Sequence, residues 1–173
     1  MRPKGLALLL ALATAGSAMV WAHWPDRPPP AGVVADRVVV LKGARELRIE
    51  RGGVSLKTYR VALGREPKGH KLHEGDDRTP EGTYRIDSRN AQSAYHRALH
   101  VSYPNGVDRA IAARFGVSPG GDVLVHGLGN GLGFLGRLHR LTDWTRGCIA
   151  VTNREIEEIW RAVPDGTPIE IRP

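Results

Sequence analysis

A mostly-β domain, a sandwich or partial barrel with one or two short helices, is the fold class that this sequence predicts, and three observations carry it. Short runs rich in β-branched residues recur between Arg37 and Ile171, separated by turns bearing Gly, Pro and Asp. Only one segment, near the C-terminus, has the strong period of an amphipathic helix. Setting aside an N-terminal segment leaves about 150 residues, enough for one domain with a core of its own.

Residues 1–22 open with Arg2 and Lys4, continue through the apolar run Gly5 to Ala15, and reach small residues at Gly16, Ser17, Ala18 and Ala22. This is the plan of a signal peptide, with cleavage expected after Ala22 or Ala18. An uncleaved N-terminal membrane anchor is the alternative, because the uncharged stretch is just long enough to span. Residues 23–35 carry Pro25, Pro28, Pro29 and Pro30 and predict an extended linker. Residues 36–173 are then the folded domain.

Within it, Arg37 to Leu41, Glu46 to Arg51 and Val54 to Leu63 read as strands, with Arg51-Gly52-Gly53 turning a hairpin. Thr79-Pro80-Glu81-Gly82-Thr83 feeds a strand over Tyr84 to Asp87, and Leu99 to Tyr103 and Asp122 to His126 give two more. A weak helix is predicted from Asp108 to Phe115. The strong helix follows from Ile156, Ile159, Trp160 and Val163 on one face, a capping box of Thr152 with Glu155, and a stop at Pro164. Asp165-Gly166-Thr167-Pro168 turns the chain into a last strand, Ile169 to Ile171.

The formal charge is +7, and loss of Arg2 and Lys4 would lower it to +5. The cations are dispersed and no nucleic-acid motif is present, so nucleic acid is excluded as the expected partner and an anionic envelope polymer or headgroup surface is favoured. Cysteine use is more pointed. Exported proteins normally pair their cysteines, and this chain has Cys148 alone. Such a thiol is either a small buried apolar residue or a nucleophile.

Its context favours a nucleophile. The apolar run Val123-Leu124-Val125 ends in His126-Gly127, which delivers an imidazole to a sheet rim, where Gly127 permits close approach. Downstream stands Asp143-Trp144-Thr145-Arg146-Gly147-Cys148-Ile149-Ala150. A thiol of ordinary pKa is only a few per cent ionised at neutral pH and needs an imidazole or other positive group, for which His126 is the candidate. Amides around Gly147 and Cys148 are candidate oxyanion donors. Arg146 has two open roles, favouring the thiolate or holding a substrate carboxylate. Tyr103 and Trp144 are candidate cleft aromatics with a core role open to either.

Two other clusters read as bland. His70 and His73 with Glu74, Asp76 and Asp77 lack strong metal spacing and predict a solvated loop, so no metal is expected. The glycine-rich stretch Gly127 to Gly136 fits no complete phosphate loop and predicts a flexible cleft wall in which Leu128, Leu132 and Phe134 cover apolar substrate parts. His139 falls between the two motifs and is a candidate for lining that cleft.

His126-Gly127, Thr145-Arg146-Gly147-Cys148, the turn Thr79-Pro80-Glu81-Gly82-Thr83-Tyr84 and the run Ala98-Leu99-His100-Val101-Ser102-Tyr103-Pro104-Asn105 together resemble the L,D-transpeptidase catalytic domain family, often called the YkuD type. The resemblance covers most of Asp36 to Pro173. It implies Cys148 as nucleophile and His126 as proton donor and acceptor, while Gly147, Thr145, Arg146, Gly127 and Tyr103 are candidates for oxyanion and substrate contacts. The implied activity is acyl transfer from a peptidoglycan tetrapeptide stem to an amine. No cofactor is implied, and an exported, periplasmic or envelope monomer is expected. Two positions depart from the pattern of many members, Arg146 in place of His and Ala150 in place of Arg, and they bear on substrate recognition. Stem hydrolysis by the same residues, or a non-catalytic wall-binding module, are the other functions this sequence allows.

Overall fold

In the computed structural model, residues 14, 16–24 and 26–173 are described. Most of the predicted export segment therefore lies outside the described residues; of the rest, residues 16–23 are helical. Among the described residues no helix is long and apolar enough to cross a membrane.

Alternating burial and turn chemistry build the first three strands. β1 (Arg37–Leu41) and β2 (Glu46–Arg51) pair antiparallel and place Val38, Val40, Leu47 and Ile49 in the core. β3 (Val54–Arg60) follows through Gly52 and Gly53, whose φ values of 57° and 78° are those a tight hairpin demands. β4 (Gly82–Asn90), β5 (Ala98–Val101), β6 (Leu124–His126), β7 (Ile149–Ala150) and β8 (Pro168–Arg172) complete one sheet of eight strands in the order β3-β2-β1-β8-β4-β5-β6-β7.

Two pairings in this sheet are parallel, β1 with β8 and β6 with β7. The sheet also curls. Beyond β3 the chain bridges to β7, with Ala62 and Ala150 exchanging N–H···O bonds of 3.0 and 2.8 Å. That contact brings the two ends of the sheet together as a partial barrel, and it explains why the strand predicted to Leu63 leaves β2 at Arg60. Similarly, Asp122 has φ 52° and stands outside β6, which is why that strand begins later than its apolar run suggests.

α1 (Gly106–Arg114) starts two residues earlier than expected, because Asn105 caps it and Asp108 returns a bond to the Asn105 amide. α2 (Asn153–Ala162) has the predicted Thr152/Glu155 capping box. It buries Ile156 and Ile159 against the sheet core, each worth roughly 1.5–3 kcal/mol of transfer free energy. The predicted flexible wall is instead partly ordered as a 3₁₀ segment, Gly133–Leu141, broken at Gly136.

Candidate active site

β6 positions His126 by delivering it at the strand end, 2 % exposed, between two aromatic rings. Tyr95 lies 4.5 Å from its ring centroid and Trp144 lies 5.8 Å away. His126 Nδ1–H donates to the Gly127 carbonyl at 2.6 Å, which leaves Nε2 with its lone pair. Burial lowers the pKa of His126 from its ordinary value, against a smaller upward pull from the Gly127 carbonyl, so the resting imidazole is neutral. Behind it, Trp144 Nε1–H donates to His139 Nδ1 at 3.4 Å. Burial, with Arg140 and His126 nearby, pushes His139 down to about 3.

Parallel pairing places the thiol. Val125 pairs with Ile149 and His126 with Ala150, so Cys148 stands one residue earlier beside Leu124 and, by strand alternation, on the same face as His126. The Cys148 thiol donates to the Asp122 carbonyl at 3.5 Å. Burial raises its pKa, the Leu124 N–H lowers it, Asp122 raises it and the Lys71 ammonium lowers it. The resting pair is therefore a neutral imidazole and a neutral thiol.

The turn before Cys148 is tied internally. Thr145 Oγ1 donates to the Cys148 carbonyl at 2.8 Å and accepts from the Gly147 N–H at 3.1 Å. Gly147 has φ 125°, and a Cβ there would meet the Arg78 carbonyl at 2.6 Å, so only glycine lets the 64–78 loop pack against the turn. Gly64 serves the same contact from the other side, since its Cβ would stand 2.1 Å from the Asp77 carbonyl. Asp143 accepts from the Leu63 N–H at 2.9 Å and pairs with Arg45, fixing the turn to the segment that follows β3 and to the β1–β2 turn.

Beside Cys148 is a pocket of about 340 Å³ whose lining includes Gly147, Arg146, Lys71, Glu74 and Asp122. Lys71 is 4 % exposed; its ammonium donates to Asp76 Oδ1 at 2.7 Å and to the His73 carbonyl at 3.1 Å. Asp76 also accepts from the N–H groups of Leu72, His73 and Arg78. Lys42, 2 % exposed, ties the same loop to β1 through the Gly69 and Thr79 carbonyls and Glu81. The stretch expected to be a solvated loop is thus a folded wall built around two buried lysines.

Cys148, Gly147, Arg146, Thr145 and the end of β6 come together, but Tyr103 does not join them. Tyr103 is 3 % exposed in the hydrophobic core, its hydroxyl donates to the Pro119 carbonyl at 2.9 Å, and its ring meets Tyr84 edge-on. The phenol finds a buried acceptor there, which is why an amphipathic ring settles in the core. Gly127 is required by α2, because a Cβ would come within 2.9 Å of Asn153 Oδ1, and no substrate approach is needed to explain it. Leu128 is buried, whereas Leu132 and Phe134 are exposed.

His70 accepts from the Glu81 N–H and donates to Asp108. Among the described residues no group of three or more His, Cys, Asp or Glu is placed to hold a metal ion. Lys71 and Tyr95 are the neighbours that sequence patterns miss, since each lies in a polar stretch without period and reaches the site only through the tertiary fold.

Similarity to known proteins agrees with this geometry. The model of the family described as YkuD, L,D-transpeptidase catalytic domain, matches residues 35–171. A curated Escherichia coli (strain K12) protein named "Putative L,D-transpeptidase YafK" is 27% identical over 110 residues, which are 62% of this chain and 37% of that protein. The chain thus matches little more than a third of that relative's length. In fold it resembles the helical cell shape determining protein Pgp2 from Campylobacter jejuni, with TM-score 0.62 and 24% identity over 91% of this chain and 54% of that one. It also resembles Bdellovibrio bacteriovorus Bd1075, with TM-score 0.56 and 24% identity over 84% of this chain and 50% of that one. With the family model spanning all but the last residue of the sheet and both sides of the Cys148 pocket, the chain belongs to the L,D-transpeptidase catalytic domain family.

Proposed function

We propose that this chain is a cysteine acyltransferase that forms a thioester between Cys148 and a peptidoglycan tetrapeptide stem and passes the acyl group to an amine. The observation that carries this is the pairing of β6 with β7, which puts a neutral, tautomer-fixed imidazole and a thiol on one face of the sheet, with the thiol lining an open pocket. In the first step His126 Nε2 takes the thiol proton and the sulfur attacks the carbonyl of the third stem residue. The Cys148 N–H is the proposed oxyanion donor, because the Gly147 N–H is already spent on Thr145. The imidazolium returns its proton to the departing amine of the terminal D-alanine, leaving the thioester.

In the second step an acceptor amine, that of a neighbouring stem, attacks the thioester and loses its proton to His126 while sulfur leaves. Water in place of that amine gives net carboxypeptidase action through the same intermediate. Because stem peptides lie in the cell envelope, the working compartment in this proposal is outside the cytoplasm. Membership of the family and the fold shared with a cell-shape protein support this function.

The test is intact-mass spectrometry of the full chain after incubation with a disaccharide tetrapeptide, alongside Cys148→Ala and His126→Ala. An acyl adduct on wild type that is absent from both variants, with dimeric muropeptide on adding acceptor, is the expected result. Free acid product alone would replace transfer by hydrolysis, and full wall affinity without any adduct would reinstate a binding module.

A further inference from the structure

We propose that Lys71, with Arg146 beside it, recognises the terminal α-carboxylate of the donor stem and so restricts this site to donors that end in a free acid. This rests on the acyl-transfer function above and deepens it.

A buried ammonium beside a candidate nucleophile needs a reason. Buried ion pairs contribute little net stability, because taking both charges out of water costs about what their attraction returns. Lys71 and Asp76 are nonetheless both buried, and Asp76 spreads its charge over Lys71 and three backbone N–H groups. An ammonium has three donors. Two are spent on Asp76 and the His73 carbonyl, which leaves one on a side chain that lines the Cys148 pocket.

Position fits the same partner. Lys71 Nζ lies 3.9 Å from where a Cβ on Gly147 would stand, so the charge sits within about one residue of the thiol. In a peptide donor the terminal carboxylate lies one residue beyond the scissile carbonyl, about 3.8 Å on between Cα atoms. Arg146 adds a second cation on the same pocket wall. It is exposed and makes no ion pair among the described residues. Glu74 and Asp122 bring negative charge to the pocket, but both are exposed and screened by water, whereas Lys71 is not.

The experiment compares acylation of Cys148 by a disaccharide tetrapeptide and by the same donor with its terminal carboxylate converted to the carboxamide, followed by intact mass over time. Wild type is expected to react roughly 10- to 100-fold faster with the acid, the range for one desolvated charge-assisted hydrogen bond. In Lys71→Met that preference falls to near unity. Arg146→Gln, at an exposed position where misfolding is not expected, reduces the preference several-fold. The ratio of two donors on one protein is insensitive to a general loss of folded enzyme.

Equal rates for acid and amide on wild type, or an unchanged ratio in both variants, would overturn the role of Lys71 while leaving acyl transfer intact. If Lys71→Met fails to fold, an unchanged ratio in Arg146→Gln overturns the carboxylate pocket. Absence of any adduct from either donor on wild type would overturn the acyl-transfer function, and this inference with it.

Discussion

Val125 of β6 pairs with Ile149 of β7 in parallel register, and this single pairing sets Cys148 and His126 on a common face although 22 positions separate them in sequence. Most consequences for activity follow from that register and from the two rings that enclose His126.

In the proposed reaction, acylation depends on neutral His126. Its pKa lies below the ordinary histidine value because the ring is buried, so the rate falls with acid only once pH drops below that lowered value. His126→Ala and Cys148→Ala are each expected to lower the acylation rate by roughly a thousand-fold or more. A pH–rate profile of wild type, with an acid limb below pH 6.5, checks the assignment; a limb at or above that value contradicts it.

Tyr95 keeps water from one face of that imidazole. Tyr95→Ala should raise the pKa of His126 towards its ordinary value and loosen the ring. The acid limb then moves to higher pH, and kcat falls roughly ten-fold through misplacement of the base. A variant with an unmoved acid limb would show that Tyr95 does not tune His126.

Thr145 closes the turn that carries the thiol. Thr145→Val leaves the Gly147 N–H and the Cys148 carbonyl without their partner, at a cost of about 1–3 kcal/mol, while Thr145→Ser keeps both bonds. Thermal unfolding and acylation should both suffer in the valine variant and recover in the serine one.

His139 makes the fold sensitive to acid. Its folded pKa is depressed to about 3, so below about pH 6.5 the unfolded chain binds a proton that the folded chain refuses. Stability from this group is present above the unfolded value and is lost as pH falls towards 3. At pH 4 the loss is on the order of 3 kcal/mol. His139→Gln should therefore narrow the gap between urea midpoints at pH 7 and pH 4, and an unchanged gap would place the acid sensitivity elsewhere.

Local patterns in the chain make much of this molecule legible. The hairpin at Gly52-Gly53 and the capping box of Thr152 with Glu155 are decided by residues within a few positions of one another, so periodicity and turn chemistry suffice to read them. His126 before a glycine and Cys148 after one stood out for the same reason, and the family pattern ties them together. For Tyr103 the sequence left cleft and core both open, and the core position goes with an acceptor in Pro119 that no nearby spacing announces.

What the sequence by itself determined was which segments are extended or helical and which residues are candidates for chemistry, since these rest on neighbours in the chain. The tertiary structure alone decided the parallel pairings of β1 with β8 and β6 with β7, the closure of Ala62 onto Ala150, the rings around His126 and the ammonium of Lys71 beside Gly147. Each of these joins residues tens of positions apart, and contacts of that range leave no period in the chain because they are fixed by how the whole core packs.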